Sequence, residues 1–167
     1  MAEIVNRVKN SGIISMDLSN YKPQKQFLEI DIATQLWQGI ALKEKDFRAW
    51  IKENDWTKYQ NQYVYVHCSA DAIVPTWAFM LVGSCLIDNA DIFVIGGVQE
   101  LQKEVIRKNI RSINLEDYID GRIIIKGCSD IPFPEFAMVE LMQQLQPVAK
   151  SIMYGEPCST VPVYKAK

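Results

Sequence analysis

Apolar and polar positions change their period along the chain. Gly12 to Met16 is a short apolar stretch followed by Asp17, Ser19, Asn20 and Pro23, which are turn and cap residues, so a strand is expected there. Phe27, Ile30 and Ile32 precede Leu36, Trp37, Ile40 and Leu42. Lys43 to Asn54 then reads as a helix, because Phe47, Trp50 and Ile51 fall at i, i+3 and i+4 while Lys43, Glu44, Lys45, Asp46 and Arg48 form a solvated face. From residue 62 onward, β-rich runs alternate with helix-length segments, the pattern of β-α-β units and a parallel sheet. The runs are 63–66 (YVYV), 91–95 (DIFVI), 122–126 (RIIIK) and 151–154 (SIMY). Pro75 to Asp88 and Pro134 to Gln146 read as helices opened by a first-turn proline, whose missing N–H costs nothing there. Val98 to Ile113, with Val98, Leu101, Val105 and Ile106 on one side, is a third helix.

Two of these stretches are copies. A shift of 59 places Asp71 on Asp130, Pro75 on Pro134, Trp77 on Phe136, Ala78 on Ala137, Leu86 on Leu145, Ala90 on Ala149 and Gly96 on Gly155. One deletion beside Ala70 brings Cys68-Ser69 onto Cys128-Ser129, which leaves Gly127 as the counterpart of His67. The expected fold is α/β: an open, mostly parallel sheet built from two β-α-β repeats, 62–97 and 122–156, in the order 2-1-3-4. Residues 1–60 form an N-terminal α+β extension, and residues 1–167 form one domain. Right-handed crossovers put every strand-to-helix turn on the same carboxyl edge. In that order the chain reverses between the two repeat-initial strands, where open α/β sheets form their crevice. Strands about 5 Å apart would bring Cys68 and Cys128 within reach of one metal ion.

Composition narrows the classes. A length of 167 residues with 49% hydrophobic and 23% charged residues is ordinary for one globular domain. A net charge of -2 and a pI near 5.5, without a long Lys/Arg run, give no field for nucleic acid. The longest apolar run, Ala72 to Leu86, is interrupted by Pro75, Thr76 and Ser84 and is shorter than the roughly 20 residues of a membrane span. The start, MAEIVNRVKN, lacks the apolar stretch of a signal peptide, so the expected location is cytoplasmic, where cysteines more often serve as ligands, nucleophiles or core residues than as disulfides.

The candidate chemistry lies in the cysteine turns. Cys68 and Cys128 each follow a strand and precede a helix, near unpaired N–H groups that favour thiolate. Cys158 lies between Pro157 and Pro162, past the last expected strand and on the same edge. His67, the one histidine, precedes Cys68. Cys68, Cys128, Cys158 and His67 are therefore candidate metal ligands, with Asp71, Asp130, Ser69 and Ser129 as surrounding polar support. Three cysteines and a histidine suit zinc, and thiolates also hold iron-sulfur clusters. Equally, the cysteines can be small buried hydrophobes while the Ser and Asp residues cap turns. Cys85, among Leu81, Val82 and Leu86, is assigned to the core. There is no phosphate loop, dinucleotide fingerprint or G-x-S-x-G elbow, so no nucleotide is expected, and no catalytic residue is singled out.

The segments EKDFR (44–48), CSADAIVPTWAFML (68–81) and SIMYGEPCSTVPVYK (151–165) resemble the uncharacterised bacterial family called domain of unknown function 2480, over almost the whole chain. The resemblance implies no activity and no catalytic residue. It implies a link to iron-sulfur cluster assembly, since members often lie near genes for that process, and hence iron-sulfur assembly proteins as partners. Three readings stay open: a metal-binding accessory protein using thiolates, a thiol enzyme with a Cys nucleophile managed by His67 or an Asp, and an interaction module presenting Trp37, Trp56 and Trp77. A homo-oligomer is compatible with each.

Overall fold

The computed structural model describes residues 12–156 and 158–167, and at position 128 the main chain alone. The start MAEIVNRVKN, with Ser11, and Pro157 lie outside the described residues. Seven strands and four helices follow in chain order among the described residues: β1 (Ile13–Asp17), β2 (Phe27–Asp31), α1 (Glu44–Glu53), β3 (Tyr63–His67), α2 (Thr76–Ile87), β4 (Ile92–Ile95), α3 (Val98–Arg111), β5 (Arg122–Lys126), α4 (Pro134–Leu145), β6 (Ser151–Glu156) and β7 (Ser159–Lys165). Among the described residues no helix is long and apolar enough to cross a membrane.

The α/β class and the open, mostly parallel sheets built on two β-α-β repeats are present, but the strands form two sheets rather than one. Their orders are β2-β3-β4, all parallel, and β1-β5-β6-β7, in which only β7 runs antiparallel. The single order 2-1-3-4 required the first strands of the two repeats, β3 and β5, to be neighbours. Both hydrogen-bonding edges of β3 are occupied by β2 and β4, and both edges of β5 by β1 and β6. The strands at the start of the chain, read as part of an extension, supply those missing neighbours. The segment after Cys158, past the last expected strand, forms a further strand, the antiparallel partner of β6.

The chain divides into two compact units. One comprises the residues up to Lys22 with Ile106–Lys167, and the other Pro23–Val105, so the division falls within α3. In the 23–105 unit, Ile30, Val64 and Val66 on one face of the sheet pack with Phe47 of α1 and Ala78, Val82 and Leu86 of α2. Tyr63 and Ile92 on the other face pack with Leu101 and Val105. This two-sided cover explains the nearly continuous apolar run of β3, as expected for a buried parallel strand. In the other unit, Met16, Ile123, Ile125 and Ile152 pack with Ile106 and Ile110 of α3 and with Ala137, Leu141 and Leu145 of α4.

Hydrogen bonds inside each unit repeat at the shift of 59. Asn61 N–H donates to Asn89 O at 2.9 Å, as Asp120 N–H does to Val148 O at 2.9 Å. Asp91 N–H donates to Gln62 O at 3.0 Å, and Lys150 N–H to Gly121 O at 2.9 Å. Asn61 (φ 57°) and Asp120 (φ 55°) share the left-handed conformation that Asn and Asp tolerate. The duplication therefore begins before residues 62 and 122 and takes in the 3-10 turns Trp56–Tyr59 and Leu115–Tyr118.

Candidate functional site

In the 23–105 unit, the carboxyl edge of β2-β3-β4 gathers most of the expected site residues. Parallel strands present their side chains alternately to the two faces. With Asp31 opposite His67 in register, Glu29, Asp31, Tyr65 and His67 share one face, whereas Ile30, Val64 and Val66 share the other. Cys68, one residue past β3, continues the second set and packs against its core.

Asp31 closes the turn that carries Cys68. It accepts from Ser69 N–H (3.0 Å), Ser69 Oγ (2.6 Å) and Ala33 N–H (2.9 Å), tying the turns that follow β2 and β3 together. Partial burial pushes the Asp31 carboxyl up, but the bonds from Ser69 and Ala33, with the His67 charge nearby, outweigh it and hold the group below the ordinary carboxylate value. Held in this way, the half-buried Cys68 borders an open cleft of about 390 Å³ with Ala70, Val74, Phe79 and Ile95. Its Sγ is 3.6 Å from the Ala70 carbonyl oxygen, a weak thiol hydrogen bond. Asp71 is exposed on the loop between Ala70 and Ala72.

His67 borders the same cleft at the strand end, but its ring is directed to the other face. It lies 5.6 Å from the Tyr65 ring, and its Nε2 is 2.6 Å from Glu29 Oε1. The Tyr65 phenol is pushed up by burial first, then by the Glu29 charge and by its hydrogen bond to that carboxylate. Glu29 thus receives both Tyr65 and His67. A carboxylate on one ring nitrogen orients an imidazole and leaves the other nitrogen for a ligand or a proton.

The second edge, that of β1-β5-β6, has a related plan with different residues. Asp17 ends β1 as Asp31 ends β2, and it accepts from Ser19 N–H (3.0 Å) and Ser19 Oγ (2.6 Å), which hold its carboxyl below the usual range. Asp17 pairs in register with Lys126, as Asp31 does with His67. The structural counterpart of His67 is therefore Lys126, whose Nζ lies 4.0 Å from Glu156 Oε2. Gly127, which the sequence alignment set opposite His67, is the inserted residue. It takes φ +86°, and a Cβ there would stand 2.2 Å from Asp17 Oδ1. Cys128 opens the 3-10 turn Cys128–Asp130, in which Ser129 and Asp130 are exposed. The Cys128 side chain lies outside the described residues. Cys158 is exposed in the turn between β6 and β7.

A family model described as "Protein of unknown function (DUF2480)" matches residues 2–166. The chain belongs to this family. No curated protein and no solved structure matches it.

For this DUF2480 chain, the structure brings Ser69 to Asp31 and His67 to Glu29, and places Cys68 and Asp71 at the same sheet edge. Cys128, Ser129, Asp130 and Cys158 belong to the other unit. Sheet pairing does not put Cys68 and Cys128 on neighbouring strands, because the strands before them have other partners. Among the described residues no group of three or more His, Cys, Asp or Glu side chains has metal-holding geometry. Cys85, assigned to the core from sequence, is half-buried on α2, and burial pushes its thiol up.

Glu29, Asp31 and Tyr65 are the site residues that sequence reasoning missed. One signal was available. Ile13–Leu18 (IISMDL) and Phe27–Ile32 (FLEIDI) are both short apolar stretches ending in Asp and an aliphatic residue, and in both the Asp caps the following 3-10 turn.

Proposed function

We propose that this protein is a metal-handling accessory protein that captures a thiophilic ion, zinc or iron, through the Cys68 thiolate. The observation that carries this reading is the placement of Cys68. A half-buried thiol faces an open cleft at the carboxyl edge of a parallel sheet, where such sheets generally bind ligands, and Asp31 and Ser69 fix its turn from behind. The carboxylate-oriented His67 stands at the same strand end with its ring on the opposite face, so this reading rests on Cys68 and not on a Cys68–His67 pair. An open cleft with few ligands suits a protein that passes an ion on better than one that retains it, and iron-sulfur assembly proteins are the matching class of partner. In the other unit, and apart from Cys68, this reading assigns Cys128 and Cys158 as thiolates for metal.

Protein purified anaerobically and reconstituted with zinc, or with ferrous iron and sulfide, should retain metal by elemental analysis, and Cys68→Ser should remove most of it. Equal retention by wild type and Cys68→Ser would refute the assignment of Cys68.

The interaction-module reading has a specific observation of its own. Large apolar side chains stand exposed around the same edge: Ile73 at 85%, Ile40 at 64% and Trp37 at 47%. The thiol-enzyme reading has less support, since His67 is engaged with Glu29 on the face away from Cys68.

A further inference from the structure

We propose that the outer side of β2 takes up an extended segment of another polypeptide, one carrying a basic side chain, as an added strand. Such docking needs no metal and stands or falls apart from Cys68.

β2 ends the order β2-β3-β4, and among the described residues no strand pairs with its outer side. In a parallel sheet both main-chain groups of a residue point to one side, and successive residues alternate sides. Gly96 N–H donates to Val66 O at 2.9 Å, so Val64 and Val66 turn to β4 and Tyr65 turns to β2. Tyr65 is in register with Glu29 and therefore bonds to Leu28 and Ile30. Phe27, Glu29 and Asp31 are left with their N–H and C=O groups on the outer side. Asp31 O accepts from Thr34 Oγ1 at 2.8 Å, which fits that orientation and closes the end of the row. Glu29 keeps a donor and an acceptor with no strand to receive them, the pair of groups that an added strand bonds.

This row runs along a groove rather than a bare rim. A cleft of about 350 Å³ in the 23–105 unit is lined on one side by Glu29, Ile30 and Asp31 of β2. Its other side is formed by Trp50 of α1, by Asn54 at the end of that helix, and by Lys58 and Tyr59 of the next 3-10 turn. A strand edge walled by a helix holds extended peptides through main-chain bonds, while alternate side chains give the choice of sequence. Side chains of an added strand continue the two faces of the sheet. Those beside Ile30 meet Trp50 and Tyr59, so apolar ones fit there. Those beside Glu29 meet a carboxylate that is 51% exposed and retains acceptor capacity beyond Tyr65 and His67. The charged residues lining the cleft are Glu29, Asp31 and Lys58, two acids against one base, and Lys58 is already bound to Asn54 Oδ1 at 3.2 Å. A basic side chain is the complement. The same wall holds an unmet donor, since Asn54 Nδ2 is buried without an acceptor, and a main-chain carbonyl entering the groove supplies one.

The test uses the full chain, amide exchange read by nuclear magnetic resonance, and a synthetic peptide of alternating valine and lysine with both ends blocked. In the chain alone the Glu29 amide should exchange more than about tenfold faster than that of Ile30, which is bonded to β3. Added peptide should slow Glu29 exchange saturably. Every second peptide N–H faces β2, so N-methylation of one set, valines or lysines, should weaken binding about tenfold while the other set tolerates it. A valine-glutamate peptide should bind more weakly, and Glu29→Gln should narrow the difference between the two peptides. The peptide series needs no substitution in the protein, so the test survives a variant that fails to fold. No saturable effect of the valine-lysine peptide overturns the proposal. So does equal loss from either N-methylation, or a valine-glutamate peptide that binds as tightly. Glu29 exchange that is already slow in the dilute chain, or that slows as the chain alone is concentrated, also overturns it, because this chain or a second copy then occupies the edge.

Discussion

Replacing Gly127 with alanine should destabilise the chain through one identifiable collision. Gly127 adopts φ +86°, and an added Cβ would lie 2.2 Å from Asp17 Oδ1 and 3.4 Å from Leu18 N. The left-handed backbone costs a non-glycine residue about 1–2 kcal/mol. The collision also displaces a carboxylate that accepts two hydrogen bonds from Ser19, and loss of such a cap costs about 0.5–2 kcal/mol. Gly127→Ala should therefore cost about 1.5–4 kcal/mol in all. In an Asp17→Ala background the cap is already gone and the oxygen absent, so the same change should cost only the backbone share, about 1–2 kcal/mol. The assay is urea unfolding followed by far-ultraviolet circular dichroism on the four members of the cycle. Tryptophan fluorescence is the wrong probe, because Trp37, Trp50, Trp56 and Trp77 all lie within residues 23–105. An equal cost of Gly127→Ala with and without Asp17 would refute the steric reasoning.

Phe47→Ala removes a side chain that is 1% exposed and packs edge-on against Trp77 at 5.7 Å, so a loss of about 3–5 kcal/mol is expected by urea unfolding read from tryptophan fluorescence. Asp31 has a folded-state pKa below its unfolded value of 3.8, so its stabilisation is present above that pH and is lost as pH falls through the lowered value. The stability gap between wild type and Asp31→Asn should accordingly shrink in acid, and a gap independent of pH would contradict the hydrogen-bonding account. Tyr21 runs the opposite way: burial pushes its phenol up to about 12 from 10.0, so its contribution holds below pH 10.0 and is lost as pH rises through about 12. Ultraviolet titration of tyrosinate should show late-ionising phenols, and Tyr21→Phe should remove the one near 12 while the raised Tyr65 phenol remains.

Periodicity located the elements well because helices and strands are set by local spacing. Pro75 to Asp88 became Thr76–Ile87, Pro134 to Gln146 became Pro134–Leu145, and the strand at Arg122–Lys126 matches residue for residue. Pairing was harder to read. β1 joins β5 across more than a hundred residues while β2 joins β3 nearby, and nothing in two five-residue apolar stretches states which partner each will take. One sheet was expected because the two strands that divide it into two sheets looked like an extension. The Cys-Ser turns were visible as a repeated motif. The Glu29, Tyr65 and His67 group was not, since it exists only once Glu29 is in register with Tyr65. The same register replaces Gly127 by Lys126 as the counterpart of His67, which makes the copies differ in a base rather than in the presence of one.

The central claim is that Cys68 holds an ion at the carboxyl edge of β2-β3-β4. Elemental analysis of anaerobically reconstituted wild type beside Cys68→Ser, with Cys85→Ser as a comparison at a thiol outside the proposed ligands, tests it most directly. The account predicts stoichiometric zinc or iron in wild type and loss of most of it in Cys68→Ser. Metal content unchanged by Cys68→Ser, or no bound metal in wild type, would contradict it.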